Sequence, residues 1–244
     1  MNKNLIIITA ALPMEIAGIR RLGNFTRAAL PNVQEYYRGD VRGKDAALFV
    51  SGMGETRAYG TAKAACEALQ PSAYISVGLS AALKERLRPG DIVVGESVVP
   101  PEVSDAYNAD AGLLSAAREA LKDTVLFAPV TASRRVAWRS TDKRLIAANC
   151  PAAALDMETL GAARACSEAG VPFLAVRAIS DSLDEDLPVD FNRYTKDGGM
   201  DWPRFLYHIV IHPGVIPPLM RLGRQSRLAA KNLSTAVDKV LARL

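Results

Sequence analysis

The sequence is sparing with several residue types that common functions depend on. Aromatic side chains make up only 6% of the 244 residues, and none interleaves the arginines of the C-terminal segment from Arg221 onward, as a stacking platform for single-stranded nucleic acid would require. Of the two histidines, His208 and His212, neither lies in the main part of the chain. That argues against a histidine metal centre and against a Ser-His-Asp triad, and it leaves acid–base work to carboxylates. The three cysteines, Cys66, Cys150 and Cys166, are odd in number, form no CxxC pair and sit in Ala-rich or apolar contexts. They indicate a reducing compartment, the cytoplasm, and neither a disulfide frame nor a zinc site. Neither GxGxxG nor GxxxxGK[ST] occurs, which lowers the dinucleotide and nucleoside triphosphate readings. No internal repeat or low-complexity linker divides the chain. Its opening, MNKNLIIITAAL, runs straight into Pro13 and Glu15 and reads as a first strand, not as a signal peptide.

What is present is apolar and alternating. A hydrophobic content of 49% over 244 residues suits one large core. LIIITAAL, AALFV, AYISVG, DIVVGESVV, TVLFAPV, AAALDM and VPFLAVRAIS read as strands, several of them apolar on both faces, as in a sheet covered on both sides. EYYRGDVRGKD before AALFV is hairpin-like. TRAYGTAKAACEALQ, ADAGLLSAAREALK, STDKRLIAA and ETLGAARACSEAG have helical composition, with Thr56, Asp110 and Thr141 near their starts. The expected class is α/β: three layers, α/β/α, around a mixed, mostly parallel central sheet, with ligand sites where strands end.

Charge is uneven. From Arg204 onward there are seven Lys or Arg against Asp238 alone, so this segment carries +6 of a net +4 and the rest of the chain stands at −2. We therefore divide the chain into a main domain, 1–203, and a basic C-terminal extension of the same domain, 204–244. On a helical wheel Leu219, Leu222, Ala229, Leu233, Val237, Val240 and Leu244 share one face, and Arg221, Arg224, Arg227 and Lys231 the other. IVIHPGVIPPLM is apolar but too short to span a bilayer. Its three prolines, Pro213, Pro217 and Pro218, suggest an irregular apolar wall. The extension reads either as a helix packed on the domain or as a peripheral contact with an anionic membrane face.

Four acids stand at strand ends: Glu15 after the first strand, Asp156 and Glu158 after AAAL, and Asp181 after VPFLAVRAIS. Each alone is explained as a helix cap or first-turn acid. If the strands are neighbours, however, acids from distant sequence converge on one rim. Arg177, inside the last of these strands, needs a buried partner: it either balances the acids or forms a structural ion pair. Glycines in SGMGETR and SVGLSAAL let backbone N–H groups approach a ligand, though turns need glycine anyway.

Taken together, TAALPMEI, SGMG, ALDMET and VRAISD, in this order over residues 4–185, resemble the purine nucleoside phosphorylase and uridine phosphorylase superfamily. Within it they resemble methylthioadenosine/S-adenosylhomocysteine nucleosidases. The resemblance implies cleavage of a purine N-glycosidic bond through an oxocarbenium-like state, without a metal or other cofactor, and with phosphate as co-substrate only in a phosphorylase. It implies catalytic roles for Glu15, toward water, and for Asp181, at N7 of the base with Ser180 orienting it. Met157, Glu158 and Arg177 then meet the ribose, Gly78 the base, and Ser51, Gly52 and Arg57 a phosphate or nucleophile side. Ala81 and Ala82 stand where the nucleosidases carry glycines, and no aromatic aligns with the family's base-stacking residue, Trp138 being a possible substitute. The long tail is similar to that of the hopanoid-associated branch, which implies adenosylhopane as substrate, with release of adenine. The alternatives are a methylthioadenosine/S-adenosylhomocysteine nucleosidase, a phosphate-dependent phosphorylase, and a non-catalytic nucleoside-binding protein. The resemblance further implies a homo-oligomer, with a dimer favoured, and no nucleic-acid partner.

Overall fold

The computed structural model describes residues 5–31, 33–100, 105–196 and 199–244. In chain order the strands are β1 (Ile6–Ala10), β2 (Gly23–Ala28), β3 (Glu35–Val41), β4 (Lys44–Val50), β5 (Ala73–Ala82), β6 (Ile92–Val98), β7 (Tyr107–Asn108), β8 (Leu126–Ala132), β9 (Ala154–Asp156), β10 (Phe173–Asp181), β11 (Thr195–Lys196) and β12 (Gly199–Met200). The α-helices are α1 (Pro13–Arg20), α2 (Glu55–Leu69), α3 (Ala111–Leu121), α4 (Ser140–Asn149), α5 (Thr159–Ala169), α6 (Trp202–Ile211) and α7 (Ile216–Leu241).

The expected apolar runs are strands, and the reason is visible in β1. All five of its residues are buried. Ile6 and Ile8 face a cluster built with Ile16 and Ile19 of α1, Leu113 of α3 and Leu233 of α7. Ile7 faces the other cluster, built with Ala62 and Ala65 of α2 and Ala162 and Cys166 of α5. A strand covered by helices on both faces has no polar side to alternate with, and the result is the expected three layers. The hairpin-like segment is a true hairpin. Arg42 and Gly43 both have positive φ, 54° and 71°, as the two-residue turn that matches strand twist requires.

The ten-stranded sheet carries five parallel and five antiparallel pairings, and β1, β4, β5 and β10 are the parallel set beneath the site. Strand β5 is its pivot. Along one edge it pairs with β10. On the other it pairs with β1 through Ser76 and then with β9 from Ala81. Strands β5, β10, β6, β8 and β9 thus close on themselves, while β1, β4, β3 and β2 diverge. The divergence leaves residues 77–80 of β5 without a strand partner on that edge, and buried backbone groups so exposed must be satisfied by something else. A second irregularity lies opposite: β10 shifts register between Ile179 and Asp181. The extra residue of such a bulge re-aims the side chains around it.

The C-terminal residues depart from their expected form. Residues 205–220 are not an irregular wall but α6, a single 3-10 turn at Pro213–Val215, and the start of α7. The prolines are harmless there because each sits in the first turn of a helical segment, where no intrahelical N–H is required. Helix α7 packs on the main domain, one of the two readings of its pattern. Leu233, Val237, Val240 and Leu241 of α7 are fully buried in the main core, and burial of each stabilises the fold by about 1.5–3 kcal/mol. The wheel's basic residues, Arg221, Arg224, Arg227 and Lys231, are exposed.

Candidate active site

Both irregularities of β5 and β10 open into one cavity of about 220 Å³. Its walls carry Glu15, Asp156, Met157, Glu158, Ser180 and Asp181, so the rim expected from scattered acids is a real place. A larger cleft, about 580 Å³, lies between the C-terminal ends of α2 and α5. Its carboxylates, Glu67 and Glu168, are exposed and do not converge, so the chemistry is assigned to the smaller cavity.

Glu15 occupies the stretch where β1 and β9 part from β5. One carboxyl oxygen accepts from the free Leu79 N–H at 2.8 Å, the other from Leu12 N–H at 2.7 Å. Burial raises the pKa of this carboxyl, against the lowering effect of those two backbone donors. Gly78 belongs to the same packing: a Cβ there would lie 3.3 Å from Glu15 Oε1 and 3.6 Å from Arg177 Nη1.

Glu158 follows β9 and precedes α5. Its Oε1 accepts from the backbone N–H of Gly54 at 2.7 Å. That N–H stands at the head of α2, on a residue whose φ of 102° only glycine adopts without strain. Burial, joined by the Asp156 carboxylate, pushes Glu158 up to about 8, so in the folded protein it is a neutral carboxyl through the window from 4.5 to about 8.

Arg177 is 1% exposed, and its guanidinium is fully engaged. Nε donates to Asp156 Oδ2 and, at 2.9 Å, to Thr159 Oγ1; Nη1 to Ser76 O at 2.9 Å; Nη2 to Ser76 Oγ at 2.6 Å. It lies behind the 220 Å³ cavity, on a void of about 10 Å³ with Ser51 and Gly78. The expected ribose contact is therefore corrected: Arg177 is an ion-pair partner that fixes Asp156. Asp156 in turn accepts from the backbone N–H groups of Glu158, at 3.1 Å, and Thr159, at 3.0 Å, and so holds the turn into α5.

Of the residues expected on a phosphate or nucleophile side, only Ser51 lines the small void, beside Glu15 and Arg177. Arg57 is exposed on α2 and lines neither space. The Ser51 hydroxyl donates to backbone carbonyls, to Gly52 O at 2.9 Å and Ala10 O at 3.3 Å. Gly52 has a φ of 78° and lines neither space.

Asp181 stands just past the bulge of β10. Its Oδ1 accepts from Ser180 Oγ at 2.6 Å, and its Oδ2 accepts from Lys143 Nζ at 2.7 Å. Lys143, on α4, is completely buried and also donates to Ser182 O and Glu185 O, each at 2.6 Å. It does not line the cavity, so it reaches Asp181 from outside the space a ligand would fill. Sequence reasoning missed Lys143, because a lysine in STDKRLIAA is indistinguishable from a solvated helix residue until α4 is placed. It also missed Leu222 and Ser226 of α7, which complete the cavity wall.

No aromatic side chain lines the cavity among the described residues. Its apolar walls are Met53, Leu79, Val136, Leu155, Leu187 and Leu222. Trp138 lies outside, with the Arg139 guanidinium 4.5 Å from its ring centroid. Among the described residues no cluster of three His, Cys, Asp or Glu side chains is placed to hold a metal ion.

Comparison with known proteins bears on the family and the fold. A 5'-methylthioadenosine/S-adenosylhomocysteine nucleosidase of Shewanella halifaxensis is 26% identical over 185 residues, covering 68% of this chain and 80% of its own. One from a Marinomonas species is 25% identical over 223 residues, covering 79% and 92%. Among solved structures, the nucleosidase of Colwellia psychrerythraea in complex with adenine superposes with a TM-score of 0.81 at 19% identity, over 100% of this chain and 96% of that one. Futalosine hydrolase of Helicobacter pylori superposes with a TM-score of 0.79 at 17% identity, over 99% of each chain. These overlaps run through α6 and α7, so a protein of ordinary length for this fold already contains such a tail. Residues 5–198 match the Phosphorylase superfamily, and the chain belongs to that family.

Proposed function

We propose that the protein is a nucleosidase that hydrolyses the N-glycosidic bond of an adenine nucleoside. The observation that carries this reading is the convergence of Glu15, Glu158 and Asp181, from three separate strand ends, on one cavity. The similarity to 5'-methylthioadenosine/S-adenosylhomocysteine nucleosidases supports those two nucleosides as substrates. Asp181, steadied by Ser180, makes the base a better leaving group at N7. Glu158 holds the ribose hydroxyls and Met157 packs on the sugar. Glu15 orients and deprotonates water for attack on the cationic anomeric carbon. Water is favoured over phosphate because a dianion would face the Glu15 carboxylate, with Arg57 in solvent and Arg177 held by Asp156; Arg135 is the only cation lining the cavity among the described residues.

Incubation of the full chain with methylthioadenosine, with and without inorganic phosphate, tests this. Equal adenine release in both, with a free 5-substituted ribose as co-product, is expected. Strict dependence on phosphate with a ribose 1-phosphate product makes the protein a phosphorylase, and no release makes it a binding protein.

A pH dependence follows from Glu158. A neutral carboxyl both donates to and accepts from a ribose hydroxyl, and this capacity is lost on ionisation. Activity should fall as pH rises through about 8, and Glu158→Gln should flatten that alkaline limb. Because the unfolded chain gives up this proton first, the Glu158 contribution to stability should decline from pH 4.5 toward 8. An alkaline limb unchanged in the Gln variant removes Glu158 from this role.

A second reading, adenosylhopane as substrate, is favoured by the apolar Leu187 and Leu222 at the cavity. Both suit a hydrocarbon 5′ substituent. Relative kcat/KM for adenosylhopane and methylthioadenosine decides between the two. A homodimer, and peripheral membrane contact through the basic face of α7, belong to the same proposal.

A further inference from the structure

Of the large hydrophobic side chains left exposed among the described residues, most are concentrated in α6 and the first half of α7. Trp202, Leu206 and Val210 follow one another at helical spacing with 59%, 54% and 77% exposure, and Tyr207 and Ile211 flank them. Helix α6 packs its adjacent face, Phe205 and Ile209, in a small cluster with Tyr194, Val215 and Leu219. Ile216 and Met220 of α7 are exposed in the same way. Within two turns of Met220 the same helix turns Leu222 and Ser226 to the cavity. Single exposed apolar residues are ordinary, but a concentration of this kind marks a surface that something covers.

Charge indicates the occupant. Residues 202–237 hold no Asp or Glu and five Arg or Lys: Arg204, Arg221, Arg224, Arg227 and Lys231. The nearby acids are engaged. Asp201 caps α6 by accepting from Arg204 N–H at 3.3 Å, Asp190 accepts from Asn192 N–H at 3.1 Å, and Glu185 meets Arg221 and Gln225. A second copy seated symmetrically on this face would set the same cations against one another. An anionic bilayer answers both features, taking Trp, Tyr and aliphatic side chains at its interface and basic residues at its headgroups.

We propose that α6, together with the start of α7, is a docking surface for an anionic lipid bilayer, and that it presents the cavity beside Leu222 to the membrane interface. The proposal extends the broader reading of contact through the basic face of α7 by assigning insertion to the apolar face of α6. It does not depend on which nucleoside is cleaved. No helix among the described residues is long and apolar enough to cross a membrane, so the contact is peripheral.

Sedimentation of the full chain with phosphatidylglycerol-containing vesicles at low ionic strength tests it, with phosphatidylcholine vesicles as control. Binding is expected to the anionic vesicles and to weaken with salt. Arg224→Gln with Arg227→Gln should weaken it about 30-fold, roughly five-fold per charge. Leu206→Asp with Val210→Asp should abolish it while the cooperative thermal unfolding transition is kept, which shows the variant to be folded. No binding by the full chain overturns both the α6 surface and the broader membrane contact. Binding that needs the arginines but survives Leu206→Asp/Val210→Asp overturns the α6 surface alone. A solution dimer that this pair dissociates overturns it in favour of a second copy.

Discussion

Replacing Asp181 by Asn is expected to lower kcat for adenine release by about 10²–10⁴-fold, the usual loss when a positioned acid–base group is removed. The structure adds a second consequence that the near-isosteric shape of Asn conceals. Asp181 and Lys143 are a buried pair, their side chains 6% and 0% exposed. Removing one charge strands the other, and breaking such a pair costs about 3–5 kcal/mol. Asp181→Asn should therefore be both inactive and markedly less stable to urea. Adding Lys143→Met replaces the stranded ammonium with an apolar side chain and should recover most of the stability without recovering turnover. That divergence separates the catalytic role from the structural one. If Asp181→Asn released adenine within a few-fold of the parent, the acid would have to be sought elsewhere. If the double variant regained activity, the loss in the single variant would have been one of folding.

Glu15→Gln is expected to cost a similar factor, about 10²–10⁴ in kcat, through loss of the base that activates water. The fold has a reason to resist the change. Both oxygens of Glu15 accept backbone N–H groups, from Leu12 and Leu79, and a Gln amide offers only one acceptor for two fixed donors. One of these buried donors is left unsatisfied, at about 1–3 kcal/mol. Adenine affinity should be nearly unchanged, because the proposed base position is at the Ser180 and Asp181 side of the cavity. Turnover of Glu15→Gln within a few-fold of the parent argues against a water-activating role, and so does activity that returns only when phosphate is supplied.

Helix starts illustrate how local signals fare. Asp110 caps α3 as expected, its side chain accepting from Leu113 N–H at 3.0 Å. Helices α2 and α4 begin one residue before the expected Thr56 and Thr141, with Gly54 and Arg139 at their caps. Residue type ranks a threonine above Arg139 and level with Gly54, and neither cap makes a side-chain bond. Strand β2, with half of its residues exposed, carries no apolar signal and was not anticipated.

The carboxylates were legible because acids at the ends of apolar runs are few, and their order matches a family. Their partners were not. Whether Arg177 touches a sugar or an aspartate depends on where β9 ends relative to β10. Whether Lys143 is solvated or buried depends on how α4 lies against the loop after β10. The same holds for α7, whose amphipathic pattern fitted a packed helix and a membrane contact equally well. Periodicity reports which face of an element is apolar, and so by itself the sequence determined the layers, the strands and the rim of acids. It does not report what that face meets. Only the tertiary structure decided that Glu15 occupies the gap where β1 and β9 part, that Arg57 stands in solvent, and that α7 closes the core while α6 turns its apolar side outward. Each is fixed by contacts between residues far apart in the chain, whose free energy exists only once the strands are in register.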